Sequence, residues 1–138
     1  MPYWRLHYHL VWGTWERAPL ITPSVELVVH QTAFAKAREL GLVLHAVGGV
    51  CDHVHVVASI PPTRCVAEVV KRLKGASSRA VHLSASAGSD FRWQEGYGAL
   101  TLGGASLAGV IEYVRWQKEH HTSGTIIAVY ERAAERRE

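Results

Sequence analysis

The chain has little of what marks a secreted, membrane-embedded or disulfide-stabilised protein. Its 138 residues include two cysteines, Cys51 and Cys65, which form no Cys-x-x-Cys motif and give no disulfide framework. No apolar run approaches the length that crosses a bilayer. The N-terminus lacks the basic and then apolar segments of a signal peptide. We therefore expect a cytoplasmic protein whose two thiols stay reduced.

Internal repeats, long linkers and low-complexity segments are also absent, so the chain length predicts a single domain. Hydrophobic residues make up 48% and charged residues 20%, which is enough apolar material for one core. The net charge of +3 favours a polyanionic partner. Basic residues cluster between positions 64 and 79, and this pattern fits either a helix that contacts a polyanion or a solvated helix face. They are Arg64, Lys71, Arg72, Lys74 and Arg79.

The spacing of apolar residues predicts seven strands and helices. Alternation over residues 3–12 indicates a strand. Thr22 followed by Pro23 is typical of a helix start, and Gly41 is a natural stop for that helix. In order, the predicted elements are strand, helix, strand, strand, helix, strand and helix, over residues 3–12, 23–40, 42–47, 52–60, 64–79, 91–102 and 106–120.

This order is the split β-α-β plan of the ferredoxin-like fold, in the α+β class. It predicts an antiparallel sheet with helices on one face and an additional C-terminal helix. The Gly48-Gly49 pair predicts a bulge or turn after the second strand. We assign residues 1–121 to the domain and residues 122–138 to a tail that forms a short helix or frays. Because many functions share this fold, the function has to be inferred from the site.

The Asp-His-Val-His segment at residues 52–55 is the strongest local feature. Side chains two residues apart on a strand point to the same face, so His53 and His55 project together. Two adjacent imidazoles can hold one divalent metal, although two polar histidines on an exposed strand would give the same pattern. His7 and His9 form a rival pair with the same spacing, but no nearby motif completes a catalytic set.

A pair of ligands leaves a metal under-coordinated, and the last predicted helix supplies a candidate for a third. Tyr113 and Gln117 are four positions apart, so they stack on one helix face beside an apolar stripe. A tyrosine hydroxyl and an amide oxygen therefore point the same way. The alternative is a tyrosine that packs its ring at the edge of the core.

Five segments carry a more specific signal. They are YHLVWGT at residues 8–14, GGVCDHVHVVASIPP at 48–62, VVKRLKGASSR at 69–79, WQEGYGA at 93–99 and EYVRWQKEHH at 112–121. In this order, and over nearly the whole chain to residue 121, they resemble the single-tyrosine transposases of small bacterial insertion sequences of the 200/605 type. That family is characterised by a histidine-hydrophobe-histidine (HUH) motif and a downstream Tyr-x-x-x-Gln helix.

The resemblance implies a metal-dependent enzyme that cleaves and rejoins single-stranded DNA through a 5′-phosphotyrosine. It implies that Tyr113 is the nucleophile and that the metal ligands are His53, His55 and Gln117. The family uses Mg²⁺ or Mn²⁺, and two imidazoles suit manganese better than magnesium. The implied substrate is single-stranded DNA, often a hairpin.

The resemblance also implies a homodimer in which the tyrosine helix lies against the histidine pair of the partner chain. The Gly103-Gly104 pair would be the flexible joint before that helix. Two features depart from the family pattern: Trp116 stands where many relatives have a small polar residue, and the segment after His121 matches no usual tail.

Several tryptophans are candidates for stacking on DNA bases, of which we expect one or two to act. They are Trp4, Trp12, Trp93 and Trp116. Three other functions remain open. The chain could be a domesticated relative that acts on repeated palindromes, a non-catalytic module that binds single-stranded nucleic acid, or a small metal-binding structural protein.

Overall fold

A computed structural model of the chain describes residues 3–84, 90–124 and 128–131. Within these residues it contains four strands and five α-helices, with a short 3₁₀ turn at Trp15–Arg17. In chain order the elements are β1 (His7–Gly13), α1 (Pro23–Leu40), β2 (Val43–Val50), β3 (His53–Ser59), α2 (Val66–Leu83), β4 (Gly98–Leu102), α3 (Gly104–Arg115), α4 (Gln117–Ser123) and α5 (Ala128–Glu131).

The four strands form one antiparallel sheet in the order β2-β3-β1-β4. This arrangement confirms the predicted α+β, ferredoxin-like plan, because β3 lies antiparallel between β1 and β2. The register places Val11 opposite His55 on the β1–β3 ladder and Gly48 opposite His55 on the β2–β3 ladder. The central strand β3 therefore carries the histidine motif into the middle of the sheet.

The sheet is covered on both faces. On one face, Val54 and Val56 of β3 pack with residues of α1 and α2, such as Val29 and Leu73, in the larger core. On the opposite face, α3 packs on the sheet in a smaller cluster, whose buried members are Ala46, Val57, Val110, Tyr113 and Val114. The side chains of β3 alternate between these two layers, so His53 and His55 lie under α3.

Helix α1 confirms the predicted start and stop signals. The hydroxyl of Thr22 accepts a hydrogen bond from the backbone N–H of Val25 at 3.3 Å, and Pro23 occupies the first turn. Gly41 ends the helix in the left-handed conformation at φ 76°, which glycine adopts at low cost.

The Gly48-Gly49 pair was predicted to be a bulge or turn, and this prediction is wrong. Both glycines lie inside β2, which continues to Val50. A Cβ atom at Gly48 would lie 1.9 Å from the carbonyl oxygen of Val114 in α3. The absence of a side chain at Gly48 therefore allows α3 to pack closely on the sheet.

Other predicted boundaries shift. Strand β1 begins at His7 rather than residue 3, and β4 is confined to Gly98–Leu102, with one isolated bridge from Thr14 to Trp93 before it. Helix α2 runs from Val66 to Leu83, so it starts two residues after the predicted start and extends four residues past the predicted end.

The predicted C-terminal helix over 106–120 begins at Gly104 and is interrupted at Trp116, where φ is −105° and ψ is 31°. Of the predicted tail 122–138, residues 125–127 and 132–138 lie outside the described residues. No helix within the described ranges is long and apolar enough to span a membrane. Cys51 and Cys65 are free and exposed.

Candidate active site

The two histidines of the HUH motif are buried side by side beneath α3. His53 is 1% exposed and His55 is fully buried, with their ring centroids 5.0 Å apart. They share this face because residues two apart on a strand point the same way, whereas Val54 and Val56 point into the larger core. The alternative of two solvated histidines on an open strand is therefore wrong.

Both imidazoles direct their Nε2 atoms at one carboxylate. Oε1 of Glu131, in α5, lies 3.0 Å from Nε2 of His53 and 3.1 Å from Nε2 of His55. Nε2 of His121, in α4, lies 3.0 Å from the same oxygen. Burial alone would raise the pKa of Glu131, but its hydrogen bonds with His53 and His55 hold the pKa well below the usual range.

The other ring nitrogen of each motif histidine is also occupied. Nδ1–H of His53 donates to Oδ1 of Asp52 at 2.7 Å, and Nδ1 of His55 lies 2.8 Å from Nε2 of His9 on β1. The His9 and His55 rings are stacked with centroids 5.0 Å apart. These contacts fix the ring orientations, so that Nε2 of each motif histidine faces the shared point.

Burial and neighbouring groups set the charges of His9 and Asp52, which contact the motif histidines. Desolvation, with a smaller contribution from His55, lowers the pKa of His9 to about 3, so His9 is a neutral partner. The pKa of Asp52 is lowered although burial would raise it, because His53 donates to it and the Arg17 guanidinium lies beside it.

The side chain of Arg17 reaches this site from a 3₁₀ turn with left-handed backbone conformation. Glu16 and Arg17 both have positive φ, at 53° and 55°, a conformation that costs non-glycine residues about 1–3 kcal/mol each. Nη2 of Arg17 lies 3.4 Å from Asp52 Oδ1 and 3.1 Å from His53 Nδ1. A half-exposed cation therefore stands at the edge of the site.

Tyr113 and Gln117 approach the same carboxylate from the other side. The hydroxyl of Tyr113 donates to Oε2 of Glu131 at 2.5 Å, and Nε2 of Gln117 donates to Oε2 at 3.2 Å. The helix break at Trp116 separates the two residues, yet both are buried. The structure thus places Tyr113 and Gln117 beside the histidine pair of the same chain, whereas the resemblance implied that the tyrosine helix lies against the histidines of a partner.

The donor set fits a divalent metal. The candidate ligand atoms of His53, His55 and Glu131 all lie within 4.8 Å of one another. Oε1 of Gln117 is buried and has no hydrogen-bond partner among the described residues. Imidazole nitrogens and amide or carboxylate oxygens are ordinary ligands of such ions.

The rival pair of β1 is divided between two environments. His9 supports His55, whereas Nδ1 of His7 lies 2.6 Å from the hydroxyl of Ser59, which also contacts His45. His7 is therefore not part of the site, although it has the same spacing from His9 as His53 has from His55.

Four residues of the site were not predicted from the sequence. They are His9, Asp52, His121 and Glu131. The pairing of β1 with β3 would have pointed to His9, because Val11 lies opposite His55 and His9 is the next residue on that face. Asp52 is adjacent in the motif. Nothing in the pattern pointed to His121 or Glu131, because their position depends on how the tail folds back.

The basic residues predicted to contact DNA fall into two groups, those that line a groove and those that donate to backbone oxygens. Lys71, Arg72 and Arg79 line a groove of about 590 Å³ between α1 and α2. By contrast, Nζ of Lys74 donates to the backbone oxygens of Gln94 and Gly96, and Nε of Arg64 donates to Leu40 O. The groove lies on the sheet face opposite the histidines, because α1 and α2 form the larger core.

The four candidate tryptophans differ in burial. Trp12 and Trp93 are buried in the larger core, in an edge-to-face contact with centroids 6.0 Å apart, so neither can stack on a base. Trp4 and Trp116 are exposed, and they remain the candidates for that role.

Comparison with known proteins gives consistent matches. The model of the family described as IS200-like transposase matches residues 2–117. The ISDra2 transposase TnpA of Deinococcus radiodurans is 26% identical over 121 residues, which cover 84% of this chain and 86% of that protein.

Two solved structures are similar in fold. A crystal structure from Deinococcus radiodurans, described as that of a transposase, has a TM-score of 0.65 at 28% identity, covering 84% of this chain and 93% of that chain. A REP-associated tyrosine transposase bound to a REP hairpin has a TM-score of 0.65 at 12% identity, covering 88% and 72%.

Proposed function

Since the chain belongs to the IS200-like transposase family, we propose that it cleaves and rejoins single-stranded DNA through a covalent bond between Tyr113 and a 5′ phosphate. One observation carries this proposal: the tyrosine and the histidine pair meet at a single carboxylate. Glu131 accepts the Tyr113 hydroxyl on Oε2 and lies 3.0 and 3.1 Å from His53 and His55 through Oε1. A nucleophile and a candidate metal site are thus adjacent.

His53, His55 and Gln117 would hold the metal ion of this reaction. The two imidazole Nε2 atoms face one point, and Oε1 of Gln117 is a buried acceptor without a partner in the described part of the chain. When bound, Mg²⁺ or Mn²⁺ supplies Lewis-acid polarisation of the scissile phosphate. Asp52 and His9 hold the two rings in orientation.

The step on Tyr113 balances without an external energy source. The phenolic oxygen attacks the phosphorus, and the bond from phosphorus to the 3′ oxygen breaks. The phenol loses its proton and the released 3′ oxygen gains one. Because the product is still a phosphodiester, the 3′ hydroxyl of a second strand can reverse the reaction and join the strands without ATP.

The decisive experiment is a covalent adduct assay with matched tyrosines. Labelled single-stranded DNA carrying the palindromic ends of a transposable element is incubated with the protein and Mn²⁺, then run on a denaturing gel. We expect adduct from the wild type and none from Tyr113→Phe. Tyr130, whose ring lies 5.2 Å from that of Tyr113, provides the control.

Tyr130→Phe should form adduct as the wild type does, because Tyr130 packs against the nucleophile and does not replace it. Adduct that persists in Tyr113→Phe but disappears in Tyr130→Phe would transfer the role to Tyr130. If neither the wild type nor any variant forms adduct while DNA still binds, the chain is a non-catalytic binding module.

We propose hairpin DNA as the substrate, contacted through the groove between α1 and α2. The structural neighbour bound to a REP hairpin supports this choice, and so does the row of Lys71, Arg72 and Arg79 along the groove. The same neighbour favours a second candidate function, that of a relative acting on repeated palindromes. Phosphate contacts of this kind position DNA without reading its sequence.

Salt dependence tests the groove. Removing one basic side chain that binds a phosphate should reduce the slope of log affinity against log salt by roughly 0.7 for a single strand. We expect a shallower slope for Lys71→Ala/Arg79→Ala and an unchanged slope for Arg38→Ala, an exposed residue of α1 that does not line the groove. Equal slopes in the wild type and both variants would remove the groove from the DNA interface.

We also propose that the enzyme works as a homodimer with shared active sites. In a single chain α3 packs on its own sheet, so sharing requires α3 to move at Gly103-Gly104 onto the sheet of a partner. A Cβ at Gly103 would meet nothing within 4 Å, whereas one at Gly104 would lie 3.2 Å from Nη2 of Arg5.

A further inference from the structure

Three imidazoles surround one oxygen of a carboxylate that lies outside both sequence motifs. Oε1 of Glu131 is 3.0 Å from Nε2 of His53, 3.1 Å from Nε2 of His55 and 3.0 Å from Nε2 of His121. We infer that Glu131 is a ligand of the metal ion held by His53 and His55, supplied by the C-terminal segment. This inference rests on the proposed metal site.

The distances are those of neighbouring ligands in one coordination sphere. An octahedral ion with ligands at roughly 2.1 Å places adjacent donor atoms about 3 Å apart. The separations from Glu131 Oε1 to the two motif nitrogens have this value, and the three donor atoms together lie within 4.8 Å. Small adjustments of the side chains would then accommodate an ion among them.

The second carboxylate oxygen connects the ion to the nucleophile. Oε2 of Glu131 accepts from the hydroxyl of Tyr113 at 2.5 Å and from Nε2 of Gln117 at 3.2 Å. The side chain of Glu131 is 14% exposed, so these contacts are largely shielded from water. A ligand in this position would orient Tyr113 relative to the ion, which the HUH motif alone does not do.

The chemistry of the site needs such a group. Two neutral imidazoles and an amide oxygen leave both charges of a buried divalent ion uncompensated, and burying unpaired charge is costly. A carboxylate neutralises one charge and adds a hard oxygen. The resulting set of nitrogen and oxygen ligands favours Mn²⁺ over Mg²⁺, which prefers oxygen ligands and retained water.

The competing account is that Glu131 pairs with protonated histidines and blocks the site against the DNA phosphate. The two accounts predict opposite effects of removing the carboxylate charge. As a ligand, Glu131 strengthens metal binding. As a blocking group, Glu131 competes with the metal and the phosphate for the imidazoles. Removing its charge would then leave the metal affinity equal to that of the wild type or higher.

The test is Mn²⁺ affinity of the full chain without DNA, measured by titration calorimetry and by the electron paramagnetic resonance signal of bound Mn²⁺. The variants are Glu131→Gln, which keeps the size of the side chain, and Glu112→Gln, a control at an exposed glutamate of α3. Glu131→Gln should weaken binding by at least roughly 10- to 100-fold, the loss typical of removing a group that only supports a ligand, and Glu131→Asp should recover part of it. Glu112→Gln should bind like the wild type.

His55→Ala separates failure of this inference from failure of the proposed metal site. If His55→Ala loses Mn²⁺ binding while Glu131→Gln keeps wild-type or tighter affinity, the metal site stands and Glu131 is not its ligand. If His55→Ala also binds like the wild type, the metal site itself is overturned, and the role of Glu131 with it. Circular dichroism confirms that each variant is folded.

Discussion

The role of a histidine in this chain depends on the groups around it more than on its spacing in the sequence. His7 and His53 each stand two positions before another histidine on a strand, yet only His53 has one nitrogen held by a carboxylate and the other aimed at a shared point. His7 shares the hydroxyl of Ser59 with His45 instead. The same local pattern therefore gives a candidate ligand in one case and a structural hydrogen bond in the other.

This contrast gives a prediction about metal affinity. His55→Ala should abolish Mn²⁺ binding, because it removes one of two adjacent imidazoles. His7→Ala, which deletes an imidazole of equal spacing on β1, should leave the affinity unchanged. His9→Ala should weaken it by roughly 10- to 100-fold, since His9 orients His55 without facing the ion.

Titration calorimetry on the three variants provides the measurement. Loss of binding in His7→Ala with retention in His55→Ala would place the metal on β1 and contradict the site described above. Wild-type affinity in His9→Ala would show that packing alone, and not the hydrogen bond between His9 and His55, fixes the ring of His55.

The residues that the sequence predicted are those whose position follows from local periodicity. Alternation along one strand aligned His53 with His55. Helical spacing predicted Tyr113 and Gln117 on one face, and both lie at the site although the helix breaks at Trp116 between them. Glu131 was not predictable, because its place at the site depends on a four-residue helix packing against β1 and α3 after a turn of the tail. Long-range packing of this kind leaves no periodic signal.

At the scale of the element, the close packing of α3 on the sheet depends on the absence of a side chain at Gly48. Gly48 lies opposite His55 in the β2–β3 ladder, and α3 passes so close that a Cβ would lie 1.9 Å from the backbone oxygen of Val114. Val114 is the neighbour of Tyr113 in α3. The glycine therefore sets how near Tyr113 can approach the imidazoles.

Gly48→Ala should displace α3 and reduce adduct formation by at least tenfold, because a 1 Å misplacement of a reacting group can cost about 100-fold in rate. Overpacking of this kind typically costs about 1–3 kcal/mol of stability. The measurements are the rate of covalent adduct formation and the thermal midpoint. Gly109→Ala is the control, because a Cβ there, on α3, meets nothing within 4 Å.

Gly109→Ala should raise the stability by about 0.5–1 kcal/mol through its effect on helix propensity and should keep the wild-type adduct rate. Equal adduct rates in Gly48→Ala and the wild type would mean that the approach of α3 to β2 does not position the nucleophile.

The order of elements was predictable, whereas several of their ends were not. Thr22-Pro23 and Gly41 delimited α1, because helix start and stop signals act locally. The Gly48-Gly49 pair was misassigned, since glycine serves both turns and close packing and only the position of α3 distinguishes the two. Trp116 interrupts the last helix, although its sequence favoured continuation.

At the scale of the whole molecule, the sheet separates two candidate surfaces. Tyr113 of α3 and the histidine pair beneath that helix lie on one face, whereas the basic groove lies between α1 and α2 on the other. A DNA molecule that contacts both must pass around an edge of the sheet or engage two chains.

The proposed homodimer exchanges α3 between two chains, and a mixing experiment tests it. His53→Ala/His55→Ala chains carry an intact tyrosine helix, and Tyr113→Phe chains carry an intact histidine pair, so each protein alone should be inactive. If α3 docks on the partner sheet, mixed dimers contain one complete site, and the adduct should return on the histidine-variant chain. An exchanged helix can make the same close contact with Gly48 of the other chain, so the geometry of that site is preserved. Heterodimers that form but stay inactive would show that each site is built within one chain.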